Sequence, residues 1–150
     1  MAPDFSYETE IVIDRSPEAV FGYVTSLEAI PEWAEPIKRV ENVSTNQIVS
    51  GTTFEEVAGT PFGEATISWE VLEYKENRLC TFHSESFIAT TTVTFLVEPA
   101  RGRSSLKING KGRGRGLLRL IDPLLGRRAL RLRKESLRVI KKILESGKKV

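Results

Sequence analysis

The sequence predicts an α+β chain: an antiparallel sheet, short helices near its start and one long helix at its end. Two patterns carry this. Short runs of alternating apolar residues follow one another, separated by turn-forming stretches such as "GTPFG", "KEN" and "ARGR". Helical periodicity occurs only twice, once after the first run and once at the close of the chain.

The elements follow in order. "FSYETEIVID" alternates, placing Phe5, Tyr7, Ile11 and Ile13 on one face of a half-buried strand. In "RSPEAVFGYVTSLEAIPEW", Ser16 is suited to cap a helix, Pro17 to open it and Glu18 to sit in its first turn. Ala19, Val20, Tyr23, Val24 and Leu27 form its apolar stripe. Pro31 interrupts the pattern, which sets a second short helical piece around 28–33. Strands are then expected around Val40 and Val43, from "NQIVSGTTFEEV", and across "EATISWEVLEY", "RLCTFHSES", "FIATTTVTFLVEP" and "SSLKINGKG". Short turns between successive strands argue for an antiparallel meander. Asp122 and Pro123 can start the last helix, which runs to about Ser146 before Gly147. At 100° per residue, Ile121, Leu124, Leu125, Leu132, Val139 and Ile143 share one broad face. Leu130, Leu137 and Leu144 form a second apolar line.

Length and composition set the frame. The 150 residues are read as one domain, 1–150, with 40% hydrophobic and 28% charged content typical of a globular chain. No apolar run reaches the ~20 residues of a membrane span, and "MAPDFSYETE" lacks the basic start and apolar run of a signal peptide. The single cysteine, Cys80, excludes an internal disulfide and fits a reducing cytoplasm, so a cytoplasmic protein is expected. The net charge of +2 hides an asymmetry: residues 1–110 hold 8 Lys and Arg against 17 Asp and Glu, and residues 111–150 hold 14 against 3. Such a basic end either cancels an acidic sheet beneath it or meets an anionic partner.

No catalytic set is legible. A triad needs nucleophile, base and orienting group together, and the one histidine, His83, matches no nucleophile motif. His83 alternates with Phe82 and is expected to face out, whereas Cys80 shares the inward parity of Phe82 and reads as a small core residue. One His and one Cys build no zinc site, the acidic residues follow no calcium-loop pattern, and "GKGRGRG" lacks the order of a phosphate-binding loop. No metal or cofactor is therefore expected. Glu70 and Glu73 fall on opposite parities of one strand unless a bulge intervenes.

The order of these elements resembles the SRPBCC superfamily, with its START-like and birch-allergen-like domains, nearest the polyketide cyclase/dehydrase and lipid-transport branch. The resemblance lies in "IVIDRSPEAVFGYVTSLEAIPEW", "VSGTTF", "ISWEVLEYKENRL" and "LLRLIDPLLGRRALRLRKESLRVIKKILE", and covers about residues 5 to 146. It implies a helix-grip fold, in which a curved seven-stranded antiparallel sheet wraps the C-terminal helix around an apolar cavity. It also implies a hydrophobic small-molecule ligand: a lipid, isoprenoid, sterol-like or polyketide compound. A non-enzymatic carrier is the first reading. A polyketide cyclase or dehydratase is the alternative, with Tyr23, Tyr74, Thr66 and Ser68 as candidate polar helpers. A solid-core interaction module is a third class.

The expected ligand-binding wall is Trp33, Phe54, Phe62, Ile67, Trp69, Phe82, Val93, Phe95, Ile121, Leu124, Leu125 and Leu132. Arg128 falls inside the apolar arc of the last helix, where it either reaches the rim and a sheet carboxylate or meets an anionic ligand group. The basic stretch "KGRGRGLLRLIDPLLGRRALRLRK" has three readings. Nucleic acid is disfavoured because residues 111–150 contain no aromatic to stack on bases. A transient contact with an anionic membrane surface suits interleaved Leu and Arg. A lid formed by Leu117, Leu118, Leu120 and Ile121 over the cavity is the last.

Overall fold

The computed structural model describes residues 5–86 and 88–146. Seven strands, β1 (Phe5–Ile13), β2 (Ile37–Glu41), β3 (Thr53–Thr60), β4 (Gly63–Lys75), β5 (Leu79–Glu85), β6 (Ala89–Ala100) and β7 (Arg103–Gly114), form one antiparallel sheet. Its order is β1-β7-β6-β5-β4-β3-β2, so the meander from β2 to β7 ends by pairing with β1. Between β1 and β2 lie α1 (Pro17–Val24), a 3-10 turn at Leu27–Ala29 and α2 (Ile30–Trp33). A second 3-10 segment, Gly116–Ile121, leads into the long helix α3 (Asp122–Glu145). This is the expected helix-grip arrangement, with a curved sheet around the C-terminal helix.

Local chemistry sets the first helix as expected. Ser16 is the N-cap, and its hydroxyl accepts from the Ala19 N–H at 3.2 Å, with Pro17 following in the first turn. The start of α3 differs. Asp122 is the first helical residue, and its carboxylate accepts from Gly114 N–H at 2.8 Å instead of capping its own helix. That bond ties the helix start to the end of β7. The other end of α3 is tied to β1. Glu145 accepts from the Asp14 N–H at 2.6 Å, and Lys141 donates to the Val12 carbonyl at 2.6 Å. The expected stop signal, Gly147, lies outside the described residues.

The first five residues of "GKGRGRG" continue β7. β7 extends to Gly114, with Gly110, Gly112 and Gly114 on its inner face. Glycine in a strand marks a close approach, and each of these has one. An added Cβ would stand 2.0 Å from the Tyr7 ring at Gly110, 2.4 Å from the Thr90 carbonyl oxygen at Gly112, and 2.6 Å from the Leu118 carbonyl oxygen at Gly114. On α3 itself, a Cβ at Gly126 would lie 3.1 Å from Phe5 Cβ.

These close approaches fix how α3 is turned. It packs chiefly on β1, and its buried residues are Asp122, Gly126, Ser136, Leu137, Ile140 and Leu144. The second apolar line of the sequence, through Leu130, Leu137 and Leu144, therefore faces the sheet. The broad face holding Ile121, Leu124, Val139 and Arg128 turns to solvent, with Leu125, Leu132 and Ile143 half-buried along its border. The reason is steric: small residues let the helix lie close to β1, and a row of branched side chains would hold it off.

A bulge in β4 settles the paired carboxylates. The register with β5 shifts between Val71 and Glu73. Glu73 then joins Glu70 on the outer face, and Tyr74 turns inward against Phe21 at 5.5 Å.

Gly112→Ala should destabilise the chain by about 1–3 kcal/mol, because its methyl group meets backbone that cannot step aside. Gly22→Ala, at an exposed position of α1 with nothing within 4 Å, should instead stabilise it by about 0.5–1 kcal/mol. Urea denaturation of the two variants beside the parent chain tests both signs.

Candidate functional site

Between the sheet, α2 and α3 lies an aromatic chamber. Phe54 comes from β3, Trp69 from β4, Phe82 from β5, Val93 and Phe95 from β6, and Trp33 from α2. All five strand residues have the inward parity, which is why one sheet face gathers them. The rings meet edge to face around Phe82, whose centroid is 5.9 Å from Phe54, 6.4 Å from Trp69 and 5.8 Å from Phe95. Trp33 closes on Phe95 at 5.8 Å. Such contacts add about 0.5–1.5 kcal/mol per pair to area burial. The space left among these residues is only ≈ 20 Å³, room for one water.

Two charged side chains reach this apolar chamber, Glu56 from β3 and Arg133 from α3. The Glu56 carboxylate accepts from the Trp69 indole N–H at 2.9 Å. Burial pushes its pKa above the ordinary 4.5, while the Arg133 charge and the indole bond pull the other way without prevailing. Arg133 donates from Nε to the Tyr7 hydroxyl at 3.3 Å, and its guanidinium stands 5.8 Å from the Phe95 ring centroid. Tyr7 is placed for this by the bare backbone of Gly110.

Two further polar groups are left over. The Trp33 indole N–H and the Ser84 hydroxyl are buried without a hydrogen-bond partner. An unsatisfied buried donor costs about 1–3 kcal/mol. Trp33 lines the chamber, and Ser84 sits opposite Trp69 in the β4–β5 pairing.

Of the expected wall, the structure brings together Trp33, Phe54, Trp69, Phe82, Val93 and Phe95. Ile67 has the inward parity one step beyond Trp69 and is half-buried. Phe62 does not belong to the wall: it stands 98% exposed at the β3–β4 turn, because "GTPFG" ends the strand before that position. Ile121 and Leu124 face solvent, and neither they nor half-buried Leu125 and Leu132 line the chamber. Arg128 is exposed, and the cation that does reach the chamber is Arg133. Arg133, Glu56 and Tyr7 were missed as site residues. Glu56 falls out of strand alternation with Phe54 only when parity is followed strictly, and Arg133 follows only once the helix face is known. Of the leucines read as a lid, Leu117 and Leu120 are 84% and 80% exposed and do not line the chamber.

The remaining chemistry-bearing residues stand apart from the chamber. Cys80 is fully buried on the inner face, and burial pushes its thiol up to about 12, so it is no thiolate nucleophile. His83 is on the outer face, where Nδ1 meets Thr92 Oγ1 at 2.9 Å and Nε2 meets Glu85 at 3.2 Å. Tyr23 donates to Glu32 at 2.7 Å, and burial with that carboxylate raises its pKa. Among the described residues no group of three His, Cys, Asp or Glu is placed to hold a metal ion, and no helix is long and apolar enough to cross a membrane.

A curved antiparallel sheet gripping one long helix, with a mixed aromatic and charged chamber between them, is the helix-grip fold. The sequence matches the model of the family described as polyketide cyclase / dehydrase and lipid transport over residues 4–145, and the chain belongs to that family. No curated protein matches it in sequence. Solved structures match in fold. A START superfamily protein from Mycobacterium smegmatis is 13% identical with a TM-score of 0.78, covering 95% of this chain and 99% of its own. Ara h 8.0201 is 16% identical with a TM-score of 0.73, covering 95% and 98%. The di-domain ARO/CYC protein StfQ, from the steffimycin biosynthetic pathway, is 15% identical with a TM-score of 0.76 over 95% of this chain. This chain spans about half of StfQ, 52% of its length.

The raised pKa of Glu56 has a defined sign in stability. The folded chain holds this proton more tightly than the unfolded chain, so the contribution is greatest below the ordinary carboxylate pKa and falls as pH rises through the folded one. Glu56→Gln removes that fall. Urea denaturation between about pH 4 and about pH 8 should show the variant gaining stability relative to the parent as pH increases; a constant difference would contradict the assignment.

Proposed function

We propose that this chain binds a hydrophobic small molecule between the sheet and α3, with the polar end of that molecule facing Arg133 and the Trp33 indole. The observation that carries this is the pairing of an aromatic wall with hydrogen-bond donors that the fold itself leaves unfilled. A lipid, isoprenoid, sterol-like or polyketide compound with a carboxylate, enolate or carbonyl at one end would meet both needs. Family membership supports the same ligand class.

The chamber as it stands admits one water, and small-molecule pockets run to roughly 300–1,000 Å³. Binding must therefore part the walls. The packing favours the N-terminal half of α3 for this: between Asp122 and Ser136 only Gly126 is buried, whereas Leu137, Ile140 and Leu144 hold the other half to the sheet. Two tryptophans in the wall make that movement visible.

Glu56 favours a second reading. A carboxyl whose proton is held more tightly than usual, beside a guanidinium, is suited to give and take protons from a poly-β-keto compound. A cyclase or dehydratase would use the same chamber. Glu56→Gln would then abolish turnover while leaving binding in place.

The matched pair decanoate and decanol tests the binding reading by tryptophan fluorescence. Decanoate should bind about tenfold or more tighter than decanol, and Arg133→Met should remove that difference. Arg128→Ala should leave both affinities unchanged. If neither compound, nor any of a panel of lipophiles, perturbs the fluorescence, and the purified protein carries no adduct in native mass spectrometry, the chain is a solid-core interaction module instead.

A further inference from the structure

The face of α3 that the sequence marks as core is left bare. Leu117, Leu120, Ile121 and Leu124 fall at the spacing of one helical face across the 3-10 segment and the first turn of α3, and all four are exposed. Leu117 and Leu120 project almost fully. Ile88, also exposed, joins them from the β5–β6 connection, where its carbonyl accepts from Arg115 N–H at 2.9 Å. The same helical face continues past Leu124 with exposed Arg127, Arg128 and Arg131. Between residues 115 and 134 the only carboxylate is Asp122, which is buried against Gly114. Glu85 lies nearby, already paired with Arg115 at 3.2 Å.

From this arrangement we propose that residues 117–131 dock the protein on an anionic lipid surface, the leucines entering the apolar layer and the arginines meeting the headgroups. Charge decides the occupant. A second copy set face to face would bring these arginines against their own symmetry mates. An anionic bilayer offers diffuse negative charge directly above an apolar layer, the same order of chemistry that this face presents. Leu117 and Leu120 project around an open depression that they share with Arg119 and Pro123. The docking needs no ligand in the chamber and stands independently of it.

Sedimentation of the full chain with vesicles of phosphatidylcholine, with or without about 30% phosphatidylserine, tests the proposal. The parent chain should bind only the anionic vesicles, and added salt should release it. Leu117→Ser with Leu120→Ser should abolish binding, and Arg127→Gln with Arg128→Gln should weaken it about tenfold. All four side chains are exposed, so circular dichroism should show folded variants; the arginine pair and the salt series stand even if the serine pair does not fold. Equal binding to neutral vesicles, undiminished binding by a folded leucine variant, or no binding by the parent chain overturns the proposal. So does a dimer in sedimentation velocity that the leucine substitutions dissolve, which would assign the face to a second copy.

Discussion

The close approach of α3 to β1 and the neighbouring end of β7 governs the interior of this protein. Helix and sheet can lie together only where side chains are small, and the chain supplies Gly126 on the helix and Gly110, Gly112 and Gly114 on β7. Those glycines leave room for Phe5 and Tyr7 and for the turn that enters α3. Once the helix is seated, its rotation follows, and with it which cation points inward. A guanidinium at Arg133 meets Phe95, Tyr7 and the field of Glu56; one turned outward, as at Arg128, meets water.

That seating also explains why the chamber holds both apolar rings and charge. The sheet contributes its inward aromatics by simple alternation. The polar groups arrive from different elements, Glu56 from β3, Trp33 from α2 and Arg133 from α3, and they do not neutralise one another in a closed pair. Burial raises Glu56, and Trp33 keeps an N–H without a partner. A core optimised for stability alone would replace such groups with apolar ones of similar volume. Here they stand instead beside a small gap among the aromatic rings.

The two ends of α3 are held differently. At the C-terminal end, Leu137, Ile140 and Leu144 are buried, and Lys141 and Glu145 bind the end of β1. At the N-terminal end Asp122 accepts from Gly114, Gly126 lies against Phe5, and Leu125, Ala129 and Leu130 are only partly buried against the core. The apolar surface that would have anchored that end faces outward. The N-terminal half of the helix carries fewer fully buried side chains than the C-terminal half and is the less tightly packed of the two.

The amino-acid sequence by itself determined the elements and their order. Period-two alternation marks most strands, though β2 falls at Ile37–Glu41 and leaves out the expected Val43; Ser16 and Pro17 mark the first helix, and turn residues separate the strands. It also determined that Trp69, Phe82, Val93 and Phe95 gather on one sheet face, through local strand geometry. Phe62 failed because the turn began before it, and Glu73 changed face through a bulge with no clear mark in the sequence. Only the tertiary structure decided the face of α3. Summed hydrophobicity points to the branched side chains, but contact with a sheet is set by how closely two backbones can approach. That distance depended on glycines more than a hundred residues away from the strand they accommodate.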